Sequence, residues 1–311
     1  MVYSFRAFHW GRDLRIKKYF QPQGIQETLD ILSEYDGSAR LIAGGTDVIP
    51  QLRKGVLETE VLVDITRLPG LDYISFDKNM IRMGGLVTHG QICSSPLIKE
   101  KAALLAQGSG SVGSPQIRNV ATLAGNLVSG EPAADGAIPL LALNASVKVV
   151  SNKNSKEIPL TEFFLGKGKT AIDPHREMMT EIKFAALKKN QGGCYIRLSK
   201  RKALSLPILA LACIVTTDST RRTVEDLNVA LGPVAPIPFR AIKTEETIRG
   251  SLISPNLLEI ASQVASEESS PRTSALRGSQ EYRKEMVKVL IKRGLTRALE
   301  EAGVHPTMIR E

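Results

Sequence analysis

Apolar residues recur along the chain with two different periods, one typical of helices and one typical of strands. In residues 24–35, Ile25, Leu29, Leu32 and Tyr35 are spaced as on one face of a helix, which predicts an amphipathic helix. Short apolar runs predict strands, and these lie at residues 39–43, 61–65, 73–76, 80–84, 146–151, 157–160, 177–185 and 224–231. The first strand, the turn after it and the helix before it form a small α/β unit.

Helical spacing returns later in the chain. Residues 96–107 predict a helix, and the glycine- and serine-rich residues 108–114 that follow predict a linker. Ser279 is predicted to be the N-cap of a long helix that ends at Ala302. Its inward stripe is predicted to contain Met286, Leu290, Leu295 and Leu299.

The length of 311 residues exceeds one average domain, so two or three modules are expected. A hydrophobic content of 42% and a charged content of 23% are those of an ordinary globular protein. Polar residues and paired glycines at 188–193 indicate a boundary. We predict an N-terminal extension at 1–18, a main domain at 19–190 with an internal break near 66–72, and a smaller α+β domain at 191–311.

The formal net charge of +9 is compatible with binding to nucleic acid or to an acidic partner. The basic residues are scattered and aromatics make up only 5% of the chain, so no stacking platform for bases is indicated. We therefore predict no nucleic-acid binding and favour an acidic protein partner.

Residues 1–18 contain no long apolar segment of the kind found in secretory signals, and no run of about 18 apolar residues predicts a membrane span. We interpret this segment as an extension that lies on a partner subunit, or as a disordered start. The three cysteines are far apart and odd in number, which predicts a reducing compartment without disulfides. They cannot by themselves supply the four thiolates of an iron–sulfur cluster.

Two glycine turns carry the candidate chemistry. The first, LIAGGTDV at residues 41–48, follows a predicted strand and can present consecutive backbone N–H groups to an anion. Neither the Gly-Lys-Ser/Thr of a P-loop nor the G-x-G-x-x-G spacing is present. The familiar phosphate-binding folds are therefore disfavoured.

The second turn opens the stretch TLAGNLVSGEPAADGAIPLLAL at residues 122–143. Ala124 and Gly125 leave the backbone accessible to a ligand, while Thr122 and Asn126 add hydrogen-bonding side chains. A single carboxylate, Asp135, precedes an apolar run that is predicted to be buried. A tight turn without a ligand is the alternative interpretation of this stretch when it is considered alone.

Other chemistries lack their motifs. The sequence contains no H-E-x-x-H zinc pair and no G-x-S-x-G nucleophile elbow, so hydrolytic and metal-assisted functions are disfavoured. His89 stands alone, and we interpret it as a surface or packing residue without chemistry.

Both turns, in this order, resemble those of the flavoprotein subunit of the molybdenum hydroxylase family, which includes xanthine dehydrogenase and carbon monoxide dehydrogenase. The segments VTHGQICSSPLI, SPQIRNVATLAGNLVSGEPAADGAIPLLAL, EMMTEIKF and YIRLSKRKA extend the resemblance, which covers the chain from about Phe20 onward. It implies an α+β fold, in which a two-part FAD-binding domain of the vanillyl-alcohol-oxidase/PCMH type precedes a smaller α+β C-terminal domain.

The resemblance also implies a cofactor and partners. FAD is expected without a covalent bond, since the glycine turns contain no histidine or cysteine. The molybdenum cofactor and [2Fe-2S] clusters are expected on a large and a small partner subunit, in a cytoplasmic dimer of heterotrimers. Electrons would pass from [2Fe-2S] to FAD and on to NAD or another acceptor. A cofactor-free structural subunit and a self-sufficient flavin oxidoreductase remain alternatives.

The family site can be transferred residue by residue. The first turn is expected to wrap the FAD pyrophosphate through the main-chain N–H groups of Leu41, Ile42, Ala43, Gly44, Gly45, Thr46, Asp47 and Val48. No catalytic or metal-binding residue is expected in this chain.

The remaining expected FAD contacts come from the middle of the chain and from the C-terminal domain. Val112 is expected to touch the ring system, and Met179 matches an apolar position beside it. Asp135 is expected to accept hydrogen bonds from cofactor hydroxyls. Arg197 stands at a position that is usually lysine, which leaves its cofactor contact open. Tyr195 near it could shield the ring system, but packing is the favoured interpretation. The second wall of the cleft is expected to contain Thr122, Ala124, Gly125 and Asn126, with Ala124 where many relatives have a second glycine.

Overall fold

The computed structural model of the chain describes residues 16–201 and 204–309 and the backbone of Val2 and Tyr3. Most of the predicted N-terminal extension therefore lies outside the described residues. Three hydrophobic cores follow one another along the chain, and each forms around one main β-sheet. No helix in the described part is both long and apolar enough to cross a membrane.

The first core forms around a four-stranded sheet in the order β1-β2-β4-β3, in which β4 runs parallel to both β2 and β3. The predicted helix at 24–35 is confirmed, and it buries Leu29 and Leu32 against the sheet. The elements of this part are β1 (Val2–Tyr3), β2 (Lys18–Phe20), α1 (Ile25–Glu34), β3 (Ala39–Ile42), α2 (Val48–Arg53) and β4 (Val61–Asp64).

The central core lies between a five-stranded antiparallel sheet, in the order β5-β6-β11-β7-β8, and a group of short helices. The predicted hairpin is confirmed, with Lys78 and Asn79 at positive φ in its turn. The elements are β5 (Ile74–Asp77), β6 (Met80–Gly84), α3 (His89–Ser94), α4 (Pro96–Lys101), α5 (Ala103–Gly110), α6 (Pro115–Val120), α7 (Leu123–Val128), α8 (Ala137–Ala142), β7 (Ser146–Ser151), β8 (Ser155–Pro159), α9 (Leu160–Phe163), β9 (Phe164–Gly166), β10 (Lys169–Thr170) and β11 (Glu177–Ala185).

Two predictions in this region were wrong in detail. The single helix predicted at 96–107 is divided into α4 and α5, because Ala102 leaves helical geometry with φ −157°. The predicted linker begins as the last turn of α5, because Gly108 fits closely against α8 and against the loop that precedes α8. A Cβ at Gly108 would lie 2.6 Å from Cγ of Pro139. Tertiary packing here overrides the glycine-rich composition.

The C-terminal domain is an antiparallel sheet in the order β12-β13-β14-β15, with two long helices on one face and the central core on the other. The elements are β12 (Gln191–Ser199), β13 (Pro207–Thr217), β14 (Val224–Gly232), β15 (Phe239–Arg240), α10 (Ile242–Ile248), α11 (Pro255–Glu268), α12 (Gln280–Glu301) and a 3₁₀ turn (Pro306–Met308).

Strand β13 shows why the sheet joins the two domains. Its alternate residues Ala210, Ala212 and Ile214 belong to the central core, whereas Leu211 and Cys213 belong to the C-terminal core. Because successive side chains of a strand point to opposite faces, one strand contributes to both cores. The strand is consequently buried almost throughout.

The long helix predicted to start after Ser279 is confirmed. The Ser279 hydroxyl accepts a hydrogen bond from the main-chain N–H of Tyr282, and this satisfies one of the free donors at the helix start. Leu290, Leu295 and Leu299 are buried as predicted, whereas Met286 is only partly buried at the edge of the same core.

A buried ion pair fixes the edge of this sheet to the central domain. Arg240 Nε lies 2.6 Å from Glu245 Oε1, and the two side chains are only 8% and 3% exposed. The Arg240 guanidinium also donates to the carbonyl of Leu141 in helix α8 and to the side chain of Asn144, two residues beyond that helix. Glu245 Oε1 accepts a further bond from the main-chain N–H of Val229.

We expect Arg240→Ala to lower the free energy of unfolding by roughly 3–5 kcal/mol, because it leaves the Glu245 carboxylate buried without its cation. Urea titration followed by circular dichroism measures the change. The matched control is Arg249→Ala, since Arg249 pairs with Asp226 at 51% and 48% side-chain exposure. That variant should lose no more than about 1 kcal/mol. Equal losses in the two variants would contradict this account of the sheet edge.

Candidate functional site

A cavity of about 740 Å³ lies where the first sheet, the short central helices and the C-terminal sheet meet. Every residue predicted to contact the cofactor lines this cavity except Ile42. Ile42 ends strand β3 behind the turn, where its Cδ1 would lie 3.3 Å from a Cβ placed on Gly45. The two glycine turns, which are separated by about eighty residues in sequence, therefore face a common space.

The first turn packs directly against the chain that leads into the second turn. A Cβ at Gly44 would lie 1.9 Å from the main-chain oxygen of Val120, at the end of α6. Gly45 has φ +69°, a conformation that glycine adopts without steric cost. Glycine is therefore required at position 44 by close approach and favoured at position 45 by backbone conformation.

Helix α7 positions the second turn. Thr122 is its N-cap and accepts a hydrogen bond of 3.1 Å from the main-chain N–H of Gly125. The Asn126 side-chain oxygen accepts a bond of 3.2 Å from Gly136 N–H. The second turn is thereby attached to the loop that carries Asp135.

Asp135 is 7% exposed and is bound by two residues of strand β12. Its Oδ1 lies 2.6 Å from the Tyr195 hydroxyl and 3.0 Å from Arg197 Nε. Burial raises the pKa of Asp135, and the Arg197 charge opposes that shift. Tyr195, interpreted from sequence as packing alone, is both buried and a hydrogen-bond donor. Within the described ranges no hydrogen bond to Oδ2 is present, so this oxygen can still accept one from a ligand.

Among the described residues, the charges around the cavity are balanced. Arg40, Lys54, Arg197 and Arg277 line it, as do Asp47, Glu131, Asp135 and Glu177. Burial, and secondarily the charge of Glu131, raises the pKa of Asp47. Because these eight side chains carry equal numbers of each sign, together they do not attract phosphate by net charge alone. Phosphate binding here would depend on directed backbone N–H groups.

His89, to which the sequence analysis assigned no chemistry, borders the same cavity and is completely buried. Its Nδ1 lies 3.2 Å from the Ser109 hydroxyl, whereas its Nε2 has no hydrogen-bond partner among the described residues. Burial, followed by the positive charge of Arg118, lowers the pKa of His89 to about 4. Sequence offered only a weak signal, the Thr88 and Gln91 capping box that fixes the start of helix α3.

The C-terminal domain contributes several residues to the cavity wall in addition to Arg197. Leu204, Ser205 and Leu206, from the connection between β12 and β13, also line the cavity, as does Arg277 before helix α12. The Arg197 guanidinium donates to the Ser205 carbonyl and so holds this connection against Asp135. No motif marks these residues in the sequence, because only the packing of the two domains brings them to the cavity.

Two known protein families match this chain, one in each of its two parts. The family model described as the FAD binding domain in molybdopterin dehydrogenase matches residues 12–185. The model described as the CO dehydrogenase flavoprotein C-terminal domain matches residues 195–298.

Individual relatives are similar to this chain over most of their own length. The glyceraldehyde dehydrogenase medium chain of Sulfolobus acidocaldarius is 32% identical over 275 residues, which cover 88% of this chain and 94% of that protein. The nicotine 6-hydroxylase medium subunit of Paenarthrobacter nicotinovorans is 29% identical over 281 residues, covering 90% and 96% respectively. A solved structure of carbon monoxide dehydrogenase from Hydrogenophaga pseudoflava superposes with a TM-score of 0.87 at 26% identity, covering 91% of this chain and 97% of that chain.

Fold and cavity together define a two-domain FAD-binding flavoprotein, so the expected fold class is confirmed. The chain belongs to the FAD-binding medium subunits of the molybdenum hydroxylase family, and it is an oxidoreductase subunit whose cofactor is FAD.

The residues around the cavity fit FAD. Its volume lies within the range of roughly 300–1,000 Å³ that is usual for ligand sites. The main chain of the first turn lines the cavity and suits phosphate oxygens, and Asp135 Oδ2 suits a hydroxyl donor. Val112 and Met179 add apolar surface for a flat ring system.

We expect Gly44→Ala to weaken FAD binding by at least about tenfold. The added methyl group would clash with the Val120 carbonyl at a cost of about 1–3 kcal/mol, and the first turn must move away from Val120 to relieve that clash. Isothermal titration of the cofactor-free full chain with FAD measures the change. The matched control is Gly24→Ala, since no atom lies within 4 Å of a Cβ at Gly24 and its φ of −159° is extended. Unchanged affinity in Gly44→Ala would show that the close approach does not shape the site.

Proposed function

We propose that this chain binds one FAD without a covalent bond in the cavity between its two domains and carries electrons from a [2Fe-2S] partner subunit to NAD or another acceptor. The observation that carries the proposal is the convergence of both glycine turns and the Asp135–Arg197 pair on one cavity. Bound FAD supplies the redox chemistry, and the protein supplies position and electrostatics.

The chain's own residues divide the binding between them. The N–H groups of the first turn, including those of Gly44 and Gly45, bind the pyrophosphate in place of water. Asp135 Oδ2 accepts from a ribityl or ribose hydroxyl, a role for which a carboxylate is better suited than for phosphate, which it would repel. Val112 and Met179 exclude water from the ring system.

Arg197 places a fixed positive charge at the cavity wall. Its side chain is 10% exposed and its Nε lies 3.0 Å from Asp135 Oδ1, so the pair is largely shielded from solvent. Each charge compensates the other within the wall. The arginine at this usual lysine position therefore acts mainly by holding Asp135 and the Ser205 carbonyl in place.

The other redox groups are placed on partner subunits. Relatives named as a medium chain, a medium subunit and a dehydrogenase complex subunit indicate multi-subunit assemblies. This chain has three cysteines, of which Cys194 and Cys213 are buried in the C-terminal core. We propose a large molybdenum-cofactor subunit and a small [2Fe-2S] subunit, in a cytoplasmic dimer of heterotrimers. The net charge of +9 favours acidic surfaces on those partners.

Purification from the native source tests the assembly. We expect the chain to co-purify with a molybdenum subunit and an iron–sulfur subunit, identified by mass spectrometry, with one FAD per chain released by acid precipitation. Substrate should bleach the flavin absorbance of the complex but leave that of the isolated chain with FAD unchanged. A chain that runs alone and oxidises an organic substrate at full rate would replace this proposal with a self-sufficient flavin enzyme.

Asp135→Ala tests the placement of the cofactor. We expect FAD affinity to fall about tenfold to a hundredfold, because a charge-assisted hydrogen bond contributes roughly 1.5–3 kcal/mol. Tyr195→Phe is the control, since it removes one bond to Oδ1 and leaves the carboxylate in place, and it should bind FAD nearly as the wild type does. Melting of both cofactor-free variants separates folding from binding. Equal affinity in Asp135→Ala and wild type would place the carboxylate outside the cofactor site.

A further inference from the structure

The turn before helix α12 brings an arginine of the C-terminal domain, Arg277, to the wall of the cavity. A bridge closes this turn, in which the main-chain N–H of Ser274 donates to the Gly278 carbonyl at 3.0 Å and the N–H of Gly278 donates back at 2.9 Å. Gly278 has φ +93° and directly precedes Ser279, the N-cap of α12. The start of a long helix therefore holds the backbone that carries Arg277.

The guanidinium of Arg277 has no protein partner. Within the described ranges its side chain makes no hydrogen bond and no ion pair, although the residue is half-buried. Of its unpaired nitrogens only Nε is buried, so the two terminal nitrogens remain accessible. Because the side chain lines the cavity, these two nitrogens are the groups through which it can contact a ligand.

Positive charge is concentrated around this turn. Arg283 is 3% exposed, donates to three main-chain carbonyls and forms no ion pair in the part of the chain that the structure describes. Burial, and then the charges of Arg277 and Arg272, lowers the pKa of Arg283. Three guanidinium groups therefore lie close enough to repel one another, and an anion beside Arg277 would relieve that repulsion.

The charge of Glu131 connects this turn with the first glycine turn. Burial lowers the pKa of Arg277, and the Glu131 charge opposes that shift. After burial, the same charge raises the pKa of Asp47 in the first turn. Arg277 and the first turn are therefore close to the same carboxylate. Glu131 is exposed and forms no ion pair with Arg277 among the described residues, so the terminal nitrogens of Arg277 remain available to an anion held at the first turn.

We propose that Arg277 binds the pyrophosphate of a dinucleotide in the cavity through its two terminal nitrogens. The inference rests on the proposed function, and it adds a side-chain cation from the C-terminal domain to the main-chain N–H groups of the first turn. Arginine suits this task, because its planar guanidinium can donate two parallel hydrogen bonds to phosphate oxygens. FAD carries such a pyrophosphate, and so does a nicotinamide dinucleotide that accepts electrons.

Substitution of Arg277 tests the contact in titrations of the cofactor-free full chain with FAD. We expect Arg277→Gln to raise the dissociation constant about tenfold to a hundredfold, because a charge-assisted pair of hydrogen bonds is lost. Arg277→Lys keeps the charge but lacks the planar fork, so its dissociation constant should lie between those of Arg277→Gln and wild type. Both cofactor-free variants should melt at the wild-type temperature, since the side chain bonds to no other described residue.

Arg272→Gln is the matched control. Arg272 carries the same charge and lies close to Arg277, but it is exposed and does not line the cavity. Its FAD dissociation constant should stay within about twofold of wild type, because solvent and salt screen an exposed charge. Equal weakening by Arg272→Gln and Arg277→Gln would show a general effect of charge and would overturn the inference.

A second titration, of NADH into the FAD-saturated chain, identifies the source of the pyrophosphate. If FAD supplies it, Arg277→Gln weakens FAD binding and leaves NADH binding unchanged. If the acceptor supplies it, Arg277→Gln weakens NADH binding alone. An Arg277→Gln variant that binds both dinucleotides as the wild type does would overturn the inference. A wild-type chain that binds no FAD would instead overturn the proposed function, and this distinguishes the two failures.

Chemical protection tests the contact in the unsubstituted chain. Phenylglyoxal modifies the terminal nitrogens of accessible arginines, and peptide mass spectrometry measures the extent at Arg277 and Arg272 separately. We expect saturating FAD, or NADH added to the FAD-saturated chain, to protect Arg277 and to leave Arg272 unchanged. Equal modification of Arg277 with and without both dinucleotides would overturn the inference.

Discussion

The hydrogen-bonded group of Asp135, Tyr195 and Arg197 is the interaction on which the cavity depends. Asp135 comes from the loop before α8, while the other two residues come from strand β12 of the C-terminal domain. A carboxylate this deeply buried is expensive unless it is paired and hydrogen-bonded. The loop can therefore adopt its position only when the second domain is docked. The geometry of the cavity and the docking of the two domains are consequently parts of one structural equilibrium.

Shared burial makes that docking firm. Strand β13 contributes alternate side chains to both cores, and the buried Arg240–Glu245 pair closes the far edge of the same sheet. Relative motion of the domains would expose apolar surface at the strand and separate an ion pair at the edge. Because both penalties oppose the same motion, the packing itself holds the wall between Asp135 and Arg197 in place, and no disulfide contributes. Rigid walls suit a site that must hold a cofactor in one geometry.

Local sequence predicted those elements whose structure is determined by neighbouring residues. Helix α1, the hairpin at Lys78 and Asn79, and the capped start of α12 follow from periodicity, turn residues and a single serine. The elements that were missed depend on distant packing. The helical turn at Gly108 is imposed by Pro139, and the break at Ala102 has no signal in composition.

The same distinction holds at the site. The glycine turns and Asp135 could be located from motifs, whereas the complete burial of His89 follows only from the packing of α5 and the Asp135 loop around it.

Arginine at position 197 makes contacts in the cavity wall that a lysine of the same charge could not make. The guanidinium binds Asp135 through Nε and the Ser205 carbonyl through Nη2, two acceptors on different segments. A lysine ammonium is a compact point charge on a flexible stem and lacks this planar fork. With arginine, the charge is fixed, and the connection that carries Leu204 and Leu206 is attached to the carboxylate. Two segments of the cavity wall, the Asp135 loop and the connection between β12 and β13, are therefore joined through a single side chain.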